Sequence, residues 1–430
     1  MKKKIIIFLT VFIVLLASIL NFNTLRSSAK SLLSAQLKER IKSFLLGKKT
    51  MDYYNTLRVK SSINYNQKLL PNSEFIELSF NDFLLTDLIT DDEHSIKRKY
   101  YIEQFNDDLI IVDDIANIFF INKDIIKNEK NFKSIKAKSN LISENKKVKD
   151  VLVVNNEIYV SYSEIKSEDC QNIGIAKAKI SKEKINFINF FESNECVALF
   201  NAGRMELYNH NNKKGLLFTT DASGTDKQLA QDDNSLFGKL LFIDFKNKVP
   251  IVFSKGHRTA QGLLIDNDNI ITTEHGPRGG DEINLIKFGN NYGWPIASYG
   301  EPYFYQEKNM KTIHYLKNHD ENGFIEPIFS FVPSIGISQI IKVPENFSNH
   351  WSDSYLVASL AGKVIYRVKL DKNLSKLIYY EKIFIGKRIR DMIYLKDYNV
   401  FILALEGFRA PDLTKTPSLG ILGFKNFLTN

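Results

Sequence analysis

The chain lacks what several functional classes require. It has two cysteines in 430 residues, which excludes a disulfide-dense scaffold and any cysteine-rich zinc module. The net charge of +9 is not spread over the chain: residues 1–60 hold 12 Lys and Arg against 2 Asp and Glu, while the rest holds 46 against 47. The body is therefore close to neutral, and a nucleic-acid-binding surface loses its electrostatic basis. No Ser-His-Asp elbow, HExxH pair or EF-hand pattern occurs. Long hydrophobic runs are missing except for one. Hydrophobic residues make up 44% and charged residues 25%, an ordinary globular composition.

The one long apolar run spans Ile5 to Leu20, broken only by Thr10 and Ser18 and preceded by Lys2, Lys3 and Lys4. It reads as an uncleaved transmembrane signal-anchor or as a signal peptide cut after Ser27 and Ala29. Either way Lys2–Lys4 stay in the cytoplasm and the body lies outside it. The body is then periplasmic on an inner-membrane anchor, or secreted if the signal is removed. Residues 1–29 form this segment. Leu33, Leu37, Ile41 and Phe44/Leu45 continue at helical spacing, as a stalk helix against the body or a helix on the membrane surface. Residues 30–97 are read as stalk and connector.

From residue 98 to 430 the pattern is all-β. Short apolar runs such as Leu109–Val112, Ile118–Ile121, Ile158–Tyr162, Lys239–Asp244, Tyr355–Ser359 and Val400–Ala404 alternate with turns rich in Asn and Asp. A strand–turn–strand unit recurs near 108–121, 151–162, 206–220, 262–273, 355–369 and 391–404. Six such units predict a six-bladed β-propeller. Lys-rich 124–149 reads as a solvated loop or hairpin. Residues 172–180 and 184–191 read as one hairpin. Pairing about its turn opposes residue numbers summing to roughly 365, so Cys170 and Cys196 face each other at its open end. Outside the cytoplasm they are expected to form a structural disulfide.

The densest polar signal is Thr273-Glu274-His275-Gly276-Pro277-Arg278-Gly279-Gly280-Asp281-Glu282, leading to Asn290-Asn291-Tyr292-Gly293-Trp294-Pro295. Its glycines and proline force a loop whose carbonyls, with the carboxylates, form the hard oxygen set that Ca²⁺ prefers. The alternative is a tight polar turn between strands. It is not a phosphate loop, because no Gly-Lys-Ser/Thr follows.

With Gly256-His257-Arg258-Thr259-Ala260-Gln261-Gly262-Leu263, Ile158–Glu164, Ala230–Asp244, Leu356–Gly362 and Arg388-Ile389-Arg390-Asp391, all in order over residues 98–405, this loop resembles the quinoprotein glucose/sorbosone dehydrogenase family, as a divergent member. The resemblance implies a six-bladed propeller that binds pyrroloquinoline quinone (PQQ) and Ca²⁺ and oxidises the C1 hydroxyl of a sugar or polyol. It places Ca²⁺ at Gly276, Pro277, Glu282 and Tyr292. It places the quinone near Arg258, Thr259, Gln261, His275, Asp281, Arg388 and Arg390. Arginine suits that task because its planar fork pairs with carboxylates; without a ligand, Arg388 and Arg390 read as a surface pair with Asp391. The family's general base is the His of a His-x-Gly-Gly-Arg-Leu motif, and Phe200 stands there in Phe200-Asn201-Ala202-Gly203-Arg204-Met205. Phe200 cannot take a proton, which leaves His275 as the substitute base. His94, His210, His314, His319 and His350 sit in polar loops and are expected to face solvent. Two functions follow: a PQQ- and Ca²⁺-dependent sugar dehydrogenase, or a non-catalytic Ca²⁺-braced propeller that binds a glycan or an envelope protein.

Overall fold

The computed structural model describes residues 77–85, 99–127, 134–303, 314–406 and 418–424. The anchor and stalk readings and His94 lie outside the described residues. Among those described, no helix is long and apolar enough to cross a membrane.

Six sheets surround one axis. Blade 1 contains β2 (Tyr100–Phe105), β3 (Asp108–Asp113), β4 (Ile118–Asn122) and β5 (Ser134–Ser139). Blade 2 contains β6 (Lys146–Val154), β7 (Glu157–Ser167), β8 (Cys170–Lys179) and β10 (Ile188–Glu192), while short β9 (Lys184–Ile185) pairs in parallel with β5. Blade 3 runs β11 (Met205–His210), β12 (Lys213–Thr219), β13 (Lys239–Asp244) and β14 (Pro250–Lys255). Blade 4 runs β15 (Ala260–Asp266), β16 (Asn269–Glu274), β17 (Asp281–Ile286) and β18 (Phe329–Phe331). Blade 5 runs β19 (Ile337–Lys342), β20 (Ser354–Ser359), β21 (Val364–Leu370) and β22 (Leu377–Phe384). Blade 6 holds β23 (Arg388–Leu395), β24 (Val400–Glu406) and β25 (Ser418–Phe424), and its outer strand is β1 (Leu78–Leu84). The ring therefore closes on a strand taken from within the 30–97 segment.

The six strand–turn–strand units each fall in a different blade. Their turns are tight because asparagine tolerates positive φ: Asn211 and Asn212 at 49° and 62° join His210 to its cross-strand partner Lys213, and Asn155 at 55° joins Val154 to Glu157. Middle strands are covered on both faces by neighbouring blades, so Asp108–Asp113 is buried throughout. Outer strands face water on one side, and Leu377–Phe384 alternates accordingly. Each interface between blades carries its own apolar core: Ile111 with Ile402 between blades 1 and 6, Ile110 with Val160 between 1 and 2, Ile175 with Phe218 between 2 and 3, Leu217 with Ile270 between 3 and 4, Ile283 with Val357 between 4 and 5, and Leu356 with Leu403 between 5 and 6.

Strand β8 meets β10 with Asn189 opposite Ala176 and Phe191 opposite Ile175, the register expected from the hairpin. Cys170 and Cys196 form a disulfide with Cα atoms 5.1 Å apart, inside the span a bridge tolerates.

Candidate functional site

The inner strands β2, β6, β11, β15, β19 and β23 start at one end of the axis, here the upper end, and Arg204 is its central fastener. Nη1 donates to Asp150 Oδ1 at 2.8 Å and to Asp391 Oδ1 at 2.9 Å, Nε to the Gln261 carbonyl at 2.8 Å, and Nη2 to the Arg390 carbonyl at 2.9 Å. Four blades are joined through one buried guanidinium. Burial opposes its charge, and Asp391 and Asp150 hold it charged. The sequence pairing of Arg388 and Arg390 with Asp391 is therefore corrected: Asp391 belongs to Arg204.

Arg388 and Arg390 converge instead on Glu406 of β24, with Nε–O distances of 3.1 and 2.6 Å. Burial works against that carboxylate, but Arg390, Arg388 and Lys99 hold it down at about 2. Arg390 Nη1 also donates to Gln261 Oε1 at 2.7 Å, and Gln261 Nε2 donates to the Asn201 carbonyl at 2.7 Å. Next along the chain, the Phe200 carbonyl accepts from Lys149 Nζ at 2.6 Å. One connected wall thus runs Arg388–Glu406–Arg390–Gln261–Asn201/Phe200–Lys149. Phe200 itself is buried in the core between blades 2 and 3, its ring 6.3 Å from that of Phe237.

His275 lies near the arginines of this wall. Burial and the charges of Arg258, Arg390, Arg388 and Lys99 push its imidazole down to about 3, which makes it a poor proton acceptor at neutral pH. Arg258 donates from Nη1 to the His275 carbonyl at 2.8 Å and lies over the Trp294 ring, while its buried Nε has no hydrogen-bond partner. Thr259 is buried beside it, and its carbonyl accepts from the His275 N–H. Lys99, which sequence reasoning missed, completes a ring of cations about His275 with Arg258, Arg388 and Arg390, and Lys149, also missed, adjoins Lys99 and Arg390. Lys99 is lowered to about 8, first by Arg390 and then by burial. Lys149 is lowered to about 7 by burial and then by Lys99. Lys149 lay at the end of a Lys-rich stretch read as solvated; its position beside Asp150, at the axial start of an apolar strand, was the available signal.

Beside the ring is a cavity of about 10 Å³ lined by Arg258, Glu274, His275, Gly276, Gly280, Glu282, Tyr292 and Trp294. Glu274 accepts from His257 Nδ1 at 2.6 Å and from Arg258 N at 3.1 Å. Burial and then Glu274 push the Glu282 carboxyl up to about 8. His319 is buried with Nε2 3.8 Å from Glu282 Oε1, a correction to its expected solvent exposure, since its ring packs on Tyr299 and against Gly293. Asp281 is structural: Oδ1 accepts from Gly276 N, and Oδ2 from the N–H groups of Ile335, Gly336 and Ile337 at 2.7–3.0 Å. Gly276 is needed there because a Cβ would lie 2.1 Å from the Gly280 carbonyl oxygen. The Tyr292 hydroxyl donates to the Leu285 carbonyl, and the residue lines the cavity. The Pro277 carbonyl accepts from the Tyr303 hydroxyl at 2.9 Å. Among the described residues there is no cluster of three His, Cys, Asp or Glu able to hold a metal by side chains alone.

The chain is 31% identical over 192 residues to the uncharacterized protein slr1608 of Synechocystis sp., covering 41% of this chain and 45% of that one. It is 26% identical over 271 residues to the aldose sugar dehydrogenase YliI of Escherichia coli (58% and 70%). It is also 26% identical over 230 residues to quinoprotein glucose dehydrogenase B of Acinetobacter calcoaceticus (40% and 48%). The matches thus span about half the length of the first and third of these. The fold is that of the soluble aldose sugar dehydrogenase of E. coli in its apo-form, with TM-score 0.64 at 19% identity over 80% of this chain and 99% of that one. Residues 147–407, more than half of the chain, match the Glucose / Sorbosone dehydrogenase family model, and the chain belongs to that family.

Proposed function

We propose that the protein is a PQQ- and Ca²⁺-dependent dehydrogenase that oxidises the C1 hydroxyl of an aldose, held outside the cytoplasm by its N-terminal segment. The observation that carries this is the ring of Lys99, Arg258, Arg388 and Arg390 about His275, with Glu406 held between the two arginines of β23. Such a ring fits a quinone bearing several carboxylates, and the partnerless Nε of Arg258 is a donor ready for one of them.

Ca²⁺ fits on separate grounds. Glu274 and Glu282 are buried near each other, and the second is protonated at neutral pH for want of a positive neighbour. The adjoining space is sized for one small ion or water. Glu282 and the backbone carbonyls of Gly276, Pro277 and Tyr292 would hold the ion by oxygen alone. When bound, the quinone supplies two-electron oxidation. The protein's part is to bind and orient it by Arg258, Arg388 and Arg390, to position Arg390 through Gln261, and to take up the hydroxyl proton. The disulfide supports an oxidising compartment.

A second reading has its own support. Glu406 already pairs with both Arg388 and Arg390, and Tyr303 already occupies the Pro277 carbonyl. A propeller braced by Ca²⁺ and used to bind a glycan or an envelope protein would keep such internal partners. One experiment separates the two. Purified protein supplied with PQQ and Ca²⁺ should develop quinone absorbance that an aldose bleaches, and chelation should lower its Tm. Failure to take up the quinone rejects the dehydrogenase reading.

A further inference from the structure

Oxidation of an alcohol by hydride loss needs a group to take the hydroxyl proton, and Phe200 cannot. Resting on the dehydrogenase reading, we propose that Lys149 is the proton acceptor of this site.

The other buried bases are committed. His257 has Nδ1 on Glu274 at 2.6 Å and Nε2 on Ser254 Oγ at 2.8 Å. Asp221 accepts from Asn201 N with Oδ2 and from Ser223 N with Oδ1. Asp150 and Asp391 serve Arg204, and Glu406 serves the two arginines of β23. His275 stands among four cations that oppose adding a fifth. Lys149 differs in geometry and in charge. Its Nζ donates to the Phe200 carbonyl and lies 5.7 Å from the centre of the Phe200 ring, so it sits against the residue that interrupts the motif. Its stem is held by Gly203, where a Cβ would come within 2.4 Å of the Lys149 Cβ and where φ is +120°. A neutral amine that gives one N–H to Phe200 keeps its lone pair for a substrate proton. The groups that bear on it are Lys99 and Arg390, which favour the neutral form with burial, and Asp221 and Asp114, which oppose it. Through Gln261 it belongs to the same wall as Arg390.

The step balances. The O–H bond of the C1 hydroxyl breaks toward Nζ, which becomes an ammonium. A quinone bound as in the reading above would supply the two-electron oxidation that takes the C1–H electron pair. C1–O becomes a carbonyl, giving a lactone from a cyclic aldose, and the ammonium returns its proton to solvent.

The test uses the full chain with PQQ, Ca²⁺ and D-glucose, D-galactose and L-arabinose. Lys149→Met should retain quinone binding by absorbance titration and lose about 10²-fold or more in kcat, the usual worth of a positioned base. Lys149→His should recover at least tenfold of the loss, with the acid limb of kcat moved to lower pH. Independently of turnover, ¹³C-dimethylated apoprotein should show one lysine resonance titrating near 7 that Lys149→Met lacks. Thermal melting identifies a variant that fails to fold, in which case Lys149→Gln replaces Met. Turnover in folded Lys149→Met within threefold of the parent overturns the assignment while the dehydrogenase reading stands. A parent that takes up quinone but oxidises none of the sugars overturns both, even where the lysine still titrates near 7.

Discussion

The two ends of the propeller axis gather side chains of opposite type, basic at one and carboxylic at the other. The upper end gathers Lys99, Arg258, Arg388 and Arg390 around His275. Below Arg204, a cavity of about 240 Å³ is lined by all six inner strands, with Glu103 and Glu206 among the lining residues. The titrations mirror this. Arg390 and then burial depress Lys99, and burial and then Lys99 depress Lys149, whereas burial and the neighbouring carboxylates raise Glu103 and push Glu206 up to about 8. Each end crowds titratable groups of one type. The upper end can be relieved by a carboxylated ligand, the lower by protons, and Arg204 with Asp150 and Asp391 separates them. A propeller can thus present an anion site on a neutral body without a basic surface.

The largest effect should come from removing the divider. Arg204→Met leaves Asp150 and Asp391 buried without their cation and should cost about 3–5 kcal/mol in urea unfolding. A loss under 1 kcal/mol would mean the two ends are not held apart by this residue. A change remote from both ends gives the reference. Replacing Cys170 and Cys196 by serine, which opens a 26-residue separation, should cost about 3 kcal/mol with no change in the pH dependence of Tm.

The pH dependence separates the ends by sign. The Glu206 carboxyl is raised from 4.5 to about 8, so its contribution is whole below 4.5 and is lost as pH rises through about 8. Lys149 is lowered from 10.5 to about 7, so its contribution is whole above 10.5 and is lost as pH falls through about 7. Glu206→Gln should flatten the Tm profile between 4.5 and 8, and Lys149→Met between 7 and 10.5. Identical flattening by both variants would dissolve the distinction. The smallest effect concerns the internal anion: Glu406→Gln should tighten citrate binding by roughly five- to tenfold, near 1 kcal/mol. Unchanged affinity would show that Arg388 and Arg390 are out of reach of external anions.

The blades were legible because buried middle strands and Asn turns leave local signals, as Leu109–Val112 with Asn106 and Asn155 show. The disulfide was legible because a hairpin register is arithmetic. The arginines and the glycine loop were legible through family motifs. Lys99 and Glu406 were not, since a charged residue carries no local mark of its partners and these two meet only because blades far apart in sequence close at the axis, while Lys149 was marked only by its place beside Asp150. His319 escaped for the same reason. The closing strand β1 escaped because its partner is distant.

That last pairing has a consequence for biosynthesis. Ser79 of β1 bonds to Phe424 of β25 across 345 residues. At about 5–20 residues per second the ribosome needs roughly 20–70 s to make that length, and during that time β1 has no mate. Any chain stopped before Ser418 loses β25, stranding β1 and exposing the free edge of β24 to pairing with other chains. Premature termination anywhere upstream is therefore expected to yield material for proteolysis, not a smaller working ring.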